Sequence, residues 1–208
     1  MENVKISCAV GDKIRFGDCE WRVLDIQDNK ALVLSERTLG ERHYHNEHGF
    51  ITWETSSLRK LLNGNFYNSF GMEEKFRIKD VTIKNDINLR FGTSGGVDTS
   101  DKVFLLSIEE VIHYFGESGQ LKSKNIEDRS PIDDQYSEVR IARDNLGSAS
   151  DWWLRSPGGF GTNAAFVDSE GRINLYGACS IPEYGHDDER CIALGVRPAL
   201  WLDMVSVA

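Results

Sequence analysis

A chain of 208 residues with 40% apolar and 27% charged side chains has the make-up of an ordinary globular protein, long enough for one generous core or two small ones. Its 24 Lys and Arg against 33 Asp and Glu give a net charge of −9, which repels a phosphate backbone, and no basic cluster offsets it, so nucleic acid is not an expected partner. No run approaches the roughly eighteen apolar residues of a membrane helix. The opening "MENVKISCAVGDKIRFG" lacks the apolar stretch of a secretory signal, so the expectation is a cytoplasmic protein with no membrane partner.

The first third predicts strands. "DKIRF" alternates, and "EWRVLDI" and "KALVLSE" are β-rich runs joined through Gln27, Asp28 and Asn29, a hairpin signal. Trp21, Val23 and Asp25 fall on one face of the second run and Arg22, Leu24 and Ile26 on the other, which predicts a strand covered on both sides. In "ITWETSSLRKLLNGNFYNSF", Ser56 or Ser57 can cap a helix carrying Leu58, Leu61 and Leu62, with Asn63-Gly64 as its stop; a second short helix is expected from Phe66 to about Phe76.

"IKDVTIKND" predicts a strand, followed by the glycine-rich loop "NLRFGTSGGVDTSD". In "DKVFLLSIEEVIHYFG", Val103 to Leu106 predict a strand, and Ser107 with Glu110 forms a capping box. Ile108, Val111, Ile112 and Phe115 then make one apolar stripe, and Gly116 ends the helix; His113 falls on its polar side. Ser130 as cap, Pro131 at the first position and Asp133 near the positive end predict another helix. The last quarter returns to strands: "DWWLRS", "NAAFVD", "GRINLYG" and "ALGVRPALWLD", with a hairpin connection from Val167 to Arg172 and a long loop from Ala178 to about Cys191. No repeat or low-complexity linker divides the chain, so the fold class expected is α+β, a single domain over residues 1–208 with two to four helices and mixed, mostly antiparallel sheets.

The blocks "WRVLD", "ALVLSE", "TWETSSLRKLLN", "GGVDTSDKVFLLSIEE", "WWLRSPG", "NAAFVDSEGRI" and "GVRPALWL", in this order from about Gly11 to Leu202, resemble an uncharacterised bacterial family, one of the domains of unknown function. The closing pattern of a "W-x-L-R-S" strand, a hairpin and a "G-V-R-P" strand is similar to the C-type-lectin-like fold. That fold is shared by the formylglycine-generating sulfatase-modifying enzymes and the variable proteins of diversity-generating retroelements. The resemblance implies a C-type-lectin-like architecture; fold alone does not assign an activity.

Four cysteines, Cys8, Cys19, Cys179 and Cys191, show no CxxC spacing, which argues against a zinc ribbon. In a reducing compartment they are small buried hydrophobes, and a Cys8–Cys19 or Cys179–Cys191 disulfide would form only in an oxidising one. The sulfatase-modifying enzymes use a close C-terminal cysteine pair for copper and oxygen; here the pair is twelve positions apart with a charged loop between, a departure from that pattern. The calcium- and sugar-binding triplets of true C-type lectins are missing from "IPEYG" and its surroundings.

In "DWWLRSPGG", Trp152 and Leu154 share one strand face and Trp153 and Arg155 the other. These residues offer either an aromatic and cationic platform or a core in which the indoles pack and the guanidinium satisfies buried acceptors. The second is expected, with Trp152, Trp153, Arg155, Arg197 and Trp201 as a structural network. His43, His45 and Glu47 in "RHYHNEHGF" would share a strand face near His48 and form the one metal candidate, a weak one without HExxH spacing. "GTSGG" lacks the Lys-Ser/Thr of a phosphate loop and reads as a mobile connection, and no G-x-S-x-G elbow is present.

With no catalytic constellation, the expectation is a non-catalytic module that binds a protein, peptide or small molecule and needs no cofactor. Its loops Gly158–Asn163 and Ala178–Cys191 would present Phe160, Asn163, Tyr176, Tyr184 and His186 to the ligand. The alternative is a metal-assisted or sulfatase-modifying-type enzyme.

Overall fold

The architecture comes from a computed structural model that describes residues 4–5, 8–47, 49–116, 118–122, 127–179 and 192–206. Two sheets hold most of the strands among the described residues, with mixed but mostly antiparallel pairing, and helices flank them in an α+β arrangement. β1 (Val4–Lys5) pairs with β15 (Val205–Ser206) and brings the two ends of the described chain together.

A meander forms the first main sheet: β2 (Lys13–Phe16), β3 (Cys19–Gln27) and β4 (Lys30–Ser35), with β14 (Ala199–Asp203) on the far side of β4. Asp28 and Asn29 take φ of 47° and 64°, as a two-residue turn of type I′ demands, so this hairpin closes on two residues. A register shift between Val23 and Asp25 breaks the alternation of β3 and turns Val23 and Leu24 both inward, while Ile26 is exposed.

The second sheet has the order β12–β11–β10–β13–β5, from Ile173–Cys179, Asn163–Val167, Trp152–Pro157, Leu194–Gly195 and Glu41–Arg42. β10 is central, antiparallel to β11 and parallel to β13, and every one of its residues is buried. A strand covered on both faces reads as a continuous apolar run, which is the pattern of "WWL". The expected single strand "ALGVRPALWLD" is two, because the backbone leaves one sheet at Gly195 and joins the other at Ala199, with Pro198, which has no amide to donate, in between.

Val103 to Leu106 make no regular strand. β6 (Val81–Ile83) pairs instead with β7 (Thr99–Asp101), and Phe104 then exchanges backbone bonds with Ala199 while Leu106 accepts from the Arg155 amide. This segment therefore stitches the two sheets together. Helix α4 (Ile108–Phe115) follows, with its Ser107–Glu110 capping box formed and Gly116 at φ +92° ending it.

Two helical expectations need correction. Ser56 caps α1 (Ser57–Leu61), but Asn63-Gly64 does not stop it: the chain widens into a π turn over Leu62–Phe66, continues as α2 (Tyr67–Ser69) and breaks at Phe70 before α3 (Met72–Arg77). The Asn63 side chain accepts from the Lys102 and Val103 amides and donates to the Val103 carbonyl, so it serves a tertiary bond rather than a cap. No helix starts at Pro131, because Ile132 exchanges both backbone bonds with Ile173 and is held extended. The helix there is the single turn α5 (Ser137–Arg140), just before the small ladder of β8 (Ala142–Arg143) with β9 (Ala149–Ser150).

Among the described residues no helix is long and apolar enough to cross a membrane.

Candidate functional site

Trp152 and Trp153 are fully buried, and each indole N–H finds a backbone carbonyl, Arg140 at 3.2 Å and Arg42 at 2.8 Å. Tyr44 packs edge-on to Trp153 at 5.5 Å and near Trp53 at 6.3 Å, and Phe166 meets Trp153 at 6.3 Å. Trp53 donates to Asp101, which also accepts from Arg59 and Thr99. Trp53 and Tyr44 thus belong to the same aromatic interior, a role that the polar surroundings of Tyr44 in "RHYHNEH" hide. Trp201 is only half-buried, between the inward-facing Leu200 and Leu202.

The two arginines do different work. Arg155 is 5% exposed and donates to the Leu105 carbonyl at 2.7 Å, to the Lys84 carbonyl at 3.1 Å and to the Glu110 carboxylate. Glu110 also accepts from the Ser107 amide, so one carboxylate serves both the helix cap and β10. Arg197 donates from Nε to the Ser35 carbonyl at 3.0 Å and lies over the Trp152 ring at 5.0 Å, yet its buried Nη1 has no hydrogen-bond partner among the described residues. The two share no acceptor among the described residues, and Arg197 lines a cleft of about 690 Å³ beside α4 and α5.

At the far end of β10–β12, three of the five expected binding residues come together. The Phe160 ring is 53% exposed and meets Tyr176 edge-on at 5.5 Å. Tyr176 also touches Phe91 at 5.7 Å and carries the Arg129 guanidinium at 4.4 Å. Asn163 is buried and donates to the Tyr176 carbonyl at 3.4 Å, so it braces the turn rather than facing a ligand. Tyr184 and His186 lie outside the described residues, as do His48 and Cys191.

The glycines of "PGGFG" explain how the turn approaches. The Gly159 amide donates to the Tyr176 carbonyl at 2.7 Å, and a Cβ there would lie 2.6 Å from the Tyr176 ring, closer than packing allows. Loop 84–98 is tied to the same place: Asn88 donates to the Pro157 and Leu175 carbonyls and Thr93 to the Gly159 carbonyl, so the expected mobile connection is instead anchored. Phe50, 88% exposed, lies against Gly161, whose carbonyl accepts from the Ile51 amide at 2.7 Å. Phe50, Phe91 and Arg129 come from three separate segments, and no spacing in the sequence links them.

The metal candidate does not assemble. The strand ends at Arg42, so residues 43–47 share no strand face, and His45 is 8% exposed with Nδ1 accepting from the Ser57 amide at 3.2 Å. Among the described residues no group of three or more His, Cys, Asp or Glu is placed to hold a metal. Cys8 and Cys19 are free thiols, not a disulfide. Burial, aided by Asp12 and Asp18 respectively, pushes both up from the ordinary thiol range, which disfavours the nucleophilic thiolate.

A family model described as a domain of unknown function, DUF6273, matches residues 28–204. The chain belongs to the DUF6273 family. The match begins at the turn between β3 and β4, later than the Gly11 that the motifs indicate, and runs through β14. The DUF6273 region therefore contains buried Trp53, Trp152 and Trp153, both arginines and the whole Phe160–Tyr176 surface, while β2 and β3, with buried Trp21, lie before it. No curated protein and no solved structure matches the chain.

Proposed function

We propose that this DUF6273 chain is a non-catalytic binding module of C-type-lectin-like architecture, a single bacterial domain that recognises a protein or peptide. The observation that carries the reading is the Phe160–Tyr176–Phe91 cluster with Arg129 on its face and Phe50 beside it. Aromatic rings and arginine are the side chains enriched at protein interfaces and their energetic centres. Exposed apolar groups gathered in one place mark interaction surfaces, whereas scattered ones do not. The buried frame of β10 fixes the turn that presents Phe160, so the surface is pre-organised and binding costs little ordering.

Free Cys8 and Cys19 support a reducing, cytoplasmic setting for such a module.

Selection of random displayed peptides on the immobilised protein, followed by titration of the enriched peptides, tests the reading. Affinity is expected to fall at least tenfold in Tyr176→Ala and Phe160→Ala, the scale of a hot-spot truncation. Unchanged affinity in both variants moves the site elsewhere, and failure to enrich any peptide removes peptide recognition.

A further inference from the structure

A second site lies away from this surface, in the cleft where the meander sheet faces α4 and α5. Its volume of about 690 Å³ falls within the roughly 300–1,000 Å³ typical of small-molecule sites. Five cationic side chains line it, Lys13, Arg22, Arg37, Arg143 and Arg197, in a protein whose net charge is −9. Glu36 neutralises two of them, at 2.8 Å from Lys13 and 2.7 Å from Arg22.

The remaining three form no ion pair among the described residues, although Glu20 and Glu138 also line the cleft and Glu36 acts on Arg197 electrostatically. Arg37 and Arg143 are directly opposed in a β-bridge, and among the described residues their guanidinium groups bond to the carbonyls of Asp144 and Gly147, at 2.7 Å and 3.0 Å. Neither has a carboxylate within ion-pair distance among the described residues. Like charges directly opposite one another are destabilising, so an anion between them would relieve a repulsion already built into the fold. Arg197 is 3% exposed, held flat by Trp152 and Phe115, with Nη1 unpartnered. A buried donor without an acceptor is costly, and a ligand oxygen would remove that cost. Leu24, Phe115, Val139 and Ile141 give the same cleft an apolar side.

We propose that this cleft binds a small organic anion, with a carboxylate or phosphate head among Arg37, Arg143 and Arg197 and an apolar body against Phe115 and Val139. A planar guanidinium fork suits either head group.

Phenylacetate, phenyl phosphate and inorganic phosphate, titrated separately by calorimetry at low ionic strength, provide the test. A phenyl-bearing anion is expected to bind more tightly than inorganic phosphate. Arg143→Gln and Arg37→Gln, both at exposed positions, should weaken it at least tenfold without lowering the thermal midpoint. Val139→Asp, which puts a carboxylate on the apolar wall, should abolish it. Phe160→Ala should leave it intact, which separates this site from the peptide surface. No heat with either phenyl probe overturns the proposal, as does affinity unaltered by the arginine substitutions. Inorganic phosphate binding as tightly as phenyl phosphate overturns the assignment of the apolar body.

Discussion

Arg155 sits where the polar interior is least forgiving. Its guanidinium satisfies the Leu105 and Lys84 carbonyls and neutralises Glu110 inside the space between β10 and α4. Arg155→Met removes a buried cation from a carboxylate that is 29% exposed and strands two carbonyl acceptors, and urea denaturation should show a loss of about 2–3 kcal/mol. Arg155→Lys keeps the charge but replaces a planar fork with a point donor, and should recover less than half of that loss. An unchanged midpoint in either variant contradicts the assigned role. The strand pattern of "WWLRS" indicates a buried guanidinium, since two indoles on opposite faces leave no solvent side. It does not separate Arg155 from Arg197, because the cleft beneath Arg197 is assembled from β2, β3, α4, α5 and β8, which no local spacing connects.

Helix α4 shows how far local signals reach at the level of an element. Ser107, Glu110 and the apolar stripe are contiguous, so cap and buried face are legible in ten residues. Ser107→Ala should cost about 1 kcal/mol. Because the Glu110 carboxylate serves both the Ser107 backbone amide and Arg155, Glu110→Gln and Arg155→Lys should be non-additive by at least ~0.5 kcal/mol in a double-mutant cycle. Strict additivity would show that the shared carboxylate couples nothing. The misread elements are those whose backbone is claimed from a distance: Asn63 by Lys102 and Val103, Ile132 by Ile173. Asn-Gly and Ser-Pro are honest local punctuation, overridden here by partners roughly forty residues away.

For the whole molecule, ionisation sets an acid limit to stability. Burial holds the His45 imidazole below its ordinary 6.5, with Glu47 opposing. Burial alone would raise Glu36, but hydrogen bonds from Arg22 and Lys13 outweigh it and hold the carboxyl below its ordinary 4.5. Hydrogen bonds from Lys102 and Ser100 likewise hold Asp80 below 3.8. Each folded value is depressed, so each contribution is present above the unfolded value and lost as pH falls through the folded one. The denaturation midpoint should therefore begin to drop below pH 6.5 and drop further below pH 4.5, with the second phase reduced in Glu36→Gln. A midpoint flat across that range contradicts these assignments.

At the same scale, the molecule couples a rigid frame to a surface collected from loops. The tryptophan strand that anchors this frame is visible in the sequence, whereas the surface is not, since Phe50, Phe91, Arg129 and Tyr176 meet only after folding. The most direct measurement is the amide chemical-shift map of the isotope-labelled protein with a selected peptide. Shifts confined to residues 158–163, the Phe91–Thr93 turn and Tyr176, with β10 unmoved, are the predicted result. Shifts centred on β10 itself, or confined to a face without Phe160 and Tyr176, would contradict the account.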